Sequence, residues 1–214
     1  MNDLQKLGGV AALLKAAIYI SAFVFFGAYW NFPVAADDTQ KLLYLSNNQT
    51  ILSIVNLTMY VIFGTLLLVL VLALYQRLKT QSPALSLTAA AFGIIWVGLV
   101  MASGMIANIG LGMVVDLSTK DAEQAMTVWI VINTVVEGLG GGNEVVGALW
   151  VLLLSIAALK INMFSKTLNY LGVSIGFVGI LTIYPAEIFT EIFGLSQIIW
   201  FSWLGVTMCT SAQN

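Results

Sequence analysis

The sequence predicts an all-α integral membrane helical bundle, with six transmembrane helices plus an interfacial or re-entrant helix before the fourth. Three observations point there. Of 214 residues, 60% are hydrophobic and only 8% are charged, against about 25% charged in an ordinary soluble domain. The mean hydropathy is +0.97, and the apolar residues fall in runs approaching the ~20 needed to span a bilayer. The basic residues of the short connections also fall in alternate loops. A chain this apolar cannot cover a water-facing surface with polar groups, whereas in lipid a helix satisfies its own backbone N–H and C=O groups.

The first expected crossing is Gly9–Trp30. Lys6 before it and "VAADD" at Val34–Asp38 resemble a signal peptide with its cleavage site. The apolar run of about 23 residues is longer than the usual 7–15-residue core of such a signal, so a retained helix is expected. The second crossing is Ile51–Tyr75, the third Leu85–Ile109, the fourth Glu144–Leu159, the fifth Leu168–Tyr184 and the sixth Leu195–Met208. Ala125–Gly138 is apolar but short.

Charge parity decides its status, because Lys and Arg of short loops favour the cytoplasmic side. With six crossings, Arg77 and Lys79 share one side with Lys160, Lys166 and Lys6, and the acid-rich connections (Asp37, Asp38, Asp116, Asp121, Glu123, Glu187, Glu191) share the other. A seventh crossing would carry Lys160 and Lys166 outside. Both termini are therefore expected in the cytoplasm. Ala125–Gly138 is left to run along the outer interface, to re-enter, or to form the first half of a long helix through "GLGGGN". Uninterrupted helix from Gln124 to Leu159 would extend about 54 Å, so its outer half projects or the glycines bend it. Neither an internal repeat nor a linker divides the chain, and residues 1–214 read as a single transmembrane domain.

Polar residues within apolar runs need a reason, since an ionisable group at bilayer depth costs about 2.5–3.5 kcal/mol on insertion scales. For Lys15 the expectation is snorkelling to the inner headgroups along its four-carbon stem. The alternative is an internal ion pair, which requires the glycine segment carrying Glu137 and Glu144 to dip deep. In "EGLGGGNE", Glu137 and Glu144 are seven apart and would share a helix face, yet the glycines weaken that helix. One reading is an elbow at the outer interface with both acids in headgroup water. The sharper reading is a broken helix whose freed backbone groups and carboxylates face a polar cavity, able to bind a cation or relay a proton. The candidate lining is Glu137, Asn143, Glu144, Asn133 and Asn108. Asn56, Asn108, Asn133 and Gln197 are expected to hydrogen-bond between helices. Gly172 and Gly176 form a G-x-x-x-G pair suited to close packing within the bundle. "YPAE", Tyr184–Glu187, is expected to end the fifth crossing at its proline. Tyr29, Trp30, Trp129, Tyr184, Trp200 and Trp203 are expected to form an interfacial belt.

Several function classes are disfavoured. The chain has no histidine and one cysteine, Cys209, which removes the usual neutral-pH base, an internal disulfide and a zinc cluster. No basic patch invites nucleic acid. Ser103–Gly104 in "MASGM" looks superficially like a nucleophile, but no histidine exists to activate it. "GLGGGN" follows a helix rather than a strand, so it is not a phosphate loop. No catalytic, cofactor-binding or metal-binding residue is expected, and no enzyme activity.

The C-terminal third, "SKTLNYLGVSIGFVGILTIYP" at Ser165–Pro185 followed by "FGLSQIIWFSWLGVTM" at Phe193–Met208, resembles the bacterial domain-of-unknown-function family 4386. "LALYQRLK", Leu72–Lys79, is similar to that family's basic turn after the second helix. The resemblance implies a small multi-pass protein of the bacterial inner (plasma) membrane and no reaction. The expected function is a non-enzymatic lipid- or small-apolar-ligand-binding or accessory membrane component. A small transporter or ion- or proton-conducting protein using the Glu137–Glu144 break is the alternative. Expected partners are membrane lipids and a second copy or another membrane subunit.

Overall fold

In the computed structural model, residues 3–184 and 186–210 are described, and no strand occurs among them. Nine α-helices run in chain order: α1 Asp3–Val24, α2 Asp38–Asn47, α3 Gln49–Asn56, α4 Phe63–Leu78, α5 Pro83–Ser118, α6 Ala122–Val136, α7 Val145–Lys160, α8 Lys166–Leu181 and α9 Glu187–Thr210. Local chemistry starts several of them. Asp37, Asp121 and Ser165 accept the N–H groups of Gln40, Gln124 and Leu168 at 2.8, 3.0 and 3.2 Å, each closing the first turn of a helix. Pro83 opens α5, where its missing N–H costs nothing.

Wide π-type turns extend α1 through Phe25–Tyr29, join α3 to α4 at Leu57–Ile62 and extend α6 through Glu137–Gly141. Among the described residues, five stretches are long and apolar enough to cross a membrane: Asp3–Tyr29, Gln49–Leu78, Pro83–Ser118, Ala122–Lys160 and Glu187–Thr210. Lys166–Leu181 is apolar but shorter. The chain is thus an integral membrane helical bundle by composition and architecture. The expectation that Pro185 ends a crossing lies outside the described residues; α8 already stops at Leu181 and a turn follows at Thr182.

Six helices close a ring, each packed on the next: α1, α4, α5, α7, α8, α9 and back to α1. Neighbouring members run antiparallel, as their contacts show: Gly93 and Gly104 of α5 meet Val71 and Tyr60, Gly93 and Trp96 of α5 meet Trp150 and Gly147 of α7, and Gly172 and Gly176 of α8 meet Ser155 and Leu152 of α7. One end of the ring carries Lys6, Arg77, Lys79, Lys160 and Lys166, and the Arg77 guanidinium lies 4.9 Å from the Phe164 ring in the α7–α8 turn. The opposite end carries the acidic connections. α1 can join α4 and α9 closely because its inward stripe is small: Gly8, Gly9, Ala11, Ala12 and Ala16. Gly172 and Gly176 likewise face Ser155 and Leu152 of α7, so the G-x-x-x-G pair packs within the bundle. Toward the basic end the ring is filled by Leu67, Leu70, Leu74, Leu78, Leu154, Ala158 and Met208, all buried.

α5 is 36 residues long, well beyond the expected Leu85–Ile109. Its extra turns meet α2, α3 and α6 in a separate small core of Leu42, Leu45, Leu52, Leu111, Val114 and Ala125. Within Ala125–Gly138, α6 packs against α5 there, burying Ala125, Met126 and Val136.

Candidate functional site

The site lies midway along the ring. Lys15 is fully buried on the small-residue stripe of α1. Its Nζ sits 3.9 Å from the centre of the Phe201 ring, 4.3 Å from Phe63, 5.0 Å from Trp96 and 5.5 Å from Trp150. These rings come from α9, α4, α5 and α7. Each of the five residues stands nine to fifteen positions from the basic end of its helix, about 14–23 Å at 1.5 Å per residue. The snorkelling expectation is therefore overturned: the ammonium turns into the bundle and is met by aromatic faces. Such contacts are worth about 0.5–2 kcal/mol each, and rings that are already buried need no desolvation to make them.

Glu144 begins α7 from the opposite direction. It is 8% exposed and its Oε2 has no hydrogen-bond partner among the described residues. No ion-pair contact joins it to Lys15 among the described residues, and the Lys15 Nζ likewise has no hydrogen-bond partner there. The glycine segment does dip deep, and the reason is visible in the backbone. Gly140 has φ +154° and ψ 19°, a conformation that stops the helix and that side-chain-bearing residues rarely adopt. The freed backbone groups meet two threonines. The Glu144 N–H donates to Thr182 Oγ1 at 2.9 Å, and the Thr190 hydroxyl donates to the Gly142 carbonyl at 3.0 Å. Thr182 in turn donates to Gly179 O at 2.7 Å. A broken helix inside a membrane protein requires such internal partners.

Glu144 lines two adjoining cavities. One, of ≈ 80 Å³, is walled by Tyr19, Tyr60, Phe63, Trp96 and Gly140. The other, of ≈ 380 Å³, is walled by Tyr19, Phe23, Phe26, Met59, Thr190 and Glu191 and lies toward the acidic end. Glu137 and Asn133 line a third cavity of ≈ 160 Å³, together with Asn56, Tyr60 and Trp129. Tyr60 borders both the first and the third. Residues of the π-type turns wall all three, and turns of this kind recur at functional sites because they redirect side chains.

The five residues singled out from sequence are thus divided. Glu144 stands apart from Glu137 and Asn133 across Tyr60. The Glu137 carboxylate folds against Gly142. Asn108 is one step behind the third cavity: Asn56 Nδ2 donates to its Oδ1 at 3.3 Å, and its own Nδ2 donates to Ser53 O at 3.3 Å. Asn143 is turned to the break itself, its Oδ1 accepting the Val145 N–H at 3.2 Å. Asn133 donates to Trp129 O in its own helix at 2.7 Å rather than across helices. Gln197 is fully buried and neither amide atom finds a partner among the described residues, contrary to the interhelical bond expected. The Ser103 hydroxyl, also buried, is directed to the Leu99 and Val136 carbonyls. Trp200 belongs to the core, edge-on to Trp150 at 5.8 Å, not to an interfacial belt.

Sequence reading missed the Lys15 cage and the two threonines. A signal for the cage was present: Gly8, Ala12, Lys15, Ala16 and Ala22 recur at helical spacing, which places Lys15 on the face that small residues mark as buried. Trp96 and Trp150, lying mid-segment rather than at segment ends, were the other signal.

No protein-family model, no curated protein and no solved structure matches the chain.

Proposed function

We propose that the chain is a non-enzymatic multi-pass protein that receives a small amphiphilic molecule, a lipid or another mostly apolar ligand, in the cavity ending on Glu144. The observation that carries this reading is the pairing of a ≈ 380 Å³ space, floored by a buried carboxylate and walled by Tyr19, Phe23 and Phe26, with a closely filled basic half of the ring. Small-molecule sites are mostly apolar spaces of about 300–1,000 Å³ with a few polar groups that fix orientation. On this reading α8 is the fifth of six crossings and α9 the sixth, α6 is the outer part of the fourth passage, and the basic end with both termini faces the cytoplasm of a bacterial inner membrane, as positive loops favour. The likeness of the C-terminal third to family 4386 is part of the same proposal and adds no site residue. A second copy or another membrane subunit against the apolar outer face is compatible with it.

The test is ligand capture. Native mass spectrometry of the protein purified in a mild detergent should show a bound small amphiphile. Filling the cavity with Gly194→Phe should displace it. Protein that carries no adduct, and whose unfolding temperature responds to no added lipid or amphiphile, would sink the reading.

A second reading is supported by the placement of titratable side chains: Tyr60 borders both the cavity lined by Glu137 and the cavity lined by Glu144, and Lys15 is buried deeper in the ring. Ionisable residues inside a membrane mark ion or proton paths by default. Proteoliposomes reporting proton or cation flux decide it: flux lost in Glu137→Gln and Glu144→Gln supports conduction, and flux indistinguishable from empty liposomes rejects it.

A further inference from the structure

Building on the ligand-binding reading, we propose that the molecule held in the ≈ 380 Å³ cavity is a small organic cation of the substituted-ammonium class. Its charge is held by Glu144 at the floor and Glu191 at the mouth, and its alkyl groups lie against Tyr19, Phe23 and Phe26.

Four observations converge on the sign of the charge. The lining contains two carboxylates, Glu144 and Glu191, and no Lys or Arg. Glu144 is nine-tenths buried, and its Oε2 has no hydrogen-bond partner among the described residues; a buried acceptor in that state needs a donor or a cation to offset its desolvation. Three aromatic residues, Tyr19, Phe23 and Phe26, line the space, and aromatic rings attract weakly hydrated ammonium groups. Finally, the acidic end carries Asp37, Asp38, Asp116, Asp121, Glu123, Glu187 and Glu191 against Lys41 and Lys120, a field that concentrates cations at the mouth.

Lys15 is the built-in counterpart of this ligand. Its ammonium is already held within the same bundle by rings, and Glu144, not in ion-pair contact with it among the described residues, is the buried carboxylate that lines a cavity together with Phe63 and Trp96 of that cage. A cation entering from the acidic end takes Glu144 as its countercharge, while the four rings continue to hold Lys15. The positive charges of ligand and Lys15 then lie in one bundle with that carboxylate, so removing the internal cation strengthens the external one.

The experiment uses the full chain in phosphatidylglycerol nanodiscs, with intrinsic tryptophan fluorescence as the readout, because Trp96 borders Glu144. Three probes of equal chain length are compared: hexyltrimethylammonium, hexanol and hexanesulfonate. Saturable binding of the cation is expected, at an affinity about tenfold or more above the other two. Glu144→Gln should erase most of that preference, Lys15→Met should increase it severalfold, and Glu191→Gln should weaken the cation mainly at low salt. Equal binding of all three probes would overturn the charge assignment and leave the ligand-binding reading standing. Binding of none would remove both. If Glu144→Gln fails to fold, the three-probe comparison on the unaltered protein decides alone. Repeating the titration in phosphatidylcholine nanodiscs identifies the source of the ammonium: weakened soluble binding marks a lipid headgroup as the occupant, and unchanged binding marks a free cation.

Discussion

A single lysine organises the centre of this protein, and the consequence is measurable. Lys15 and Glu144 are both buried, and neither the Lys15 Nζ nor the Glu144 Oε2 has a hydrogen-bond partner among the described residues. Opposite charges buried in one bundle without direct contact still moderate each other, so removing one leaves the other less compensated, by less than the about 3–5 kcal/mol of a contacting pair, whereas replacing both with neutral groups of similar volume is often close to neutral. Lys15→Met should therefore lower the unfolding temperature in detergent, and Lys15→Met with Glu144→Gln should recover at least half of the loss. Losses that simply add would mean that the two side chains do not act on each other. Lys15→Ala should be worse than Lys15→Met, because it also empties the space between Phe63, Trp96, Trp150 and Phe201, and core voids are costly. Sequence alone marked Lys15 as unusual but put its ammonium in the wrong place. Snorkelling and inward burial differ only in which way the stem turns, and that depends on four rings supplied by four distant segments.

The decisive element is the break between α6 and α7. Gly140 carries its left-handed backbone, so Gly140→Ala should cost about 1–3 kcal/mol through strain alone. Gly138 has nothing within 4 Å of where a Cβ would stand, and there the same change should be neutral or stabilising by up to ~1 kcal/mol, since Ala favours helix over Gly. Thermal unfolding of the two variants side by side checks this, and equal effects would mean that the backbone at Gly140 is not as described. Thr182→Val removes the acceptor of the Glu144 N–H and should cost about 1–3 kcal/mol, the usual loss for an orphaned buried donor. The glycines and the two acids were legible as a weak helix flanked by carboxylates. What satisfies the freed backbone was not, because Thr182 and Thr190 lie roughly 40 to 50 residues away and become neighbours only when α8 and α9 return beside α7.

At the scale of the molecule, the ring alternates direction at every short turn, which gathers Arg77, Lys79 and the Lys160–Lys166 turn at one end. Single cysteines introduced as Lys79→Cys, Lys166→Cys and Asp38→Cys in a Cys209→Ser background test this in whole cells. The first two should react with a membrane-impermeant thiol reagent from the same face and the third from the opposite face. Labelling of positions 79 and 166 from opposite faces would break both the six-crossing count and the ring. The small core of α2, α3, α5 and α6 beyond the ring is a second unit at this scale. It accounts for why α5 and the α6–α7 passage are longer than a bilayer needs.

By itself, the sequence determined the solvent, the all-helical class and the alternation of basic and acidic connections, while several helix bounds and the π-type turns came only with the structure. Apolar runs, capping residues and the loop-by-loop placement of Lys and Arg are all local quantities, and local quantities survive without knowledge of neighbours. Tertiary structure alone decided the site. Whether Lys15 faces lipid or an aromatic box, whether Glu144 reaches headgroup water or the middle of the bundle, and whether Glu137 and Glu144 share a cavity or are parted by Tyr60 all depend on ring closure. That closure joins α1 to α9 across most of the chain's length, and the burial energy of a charge is set by what stands within a few ångströms of it in space, not along the chain.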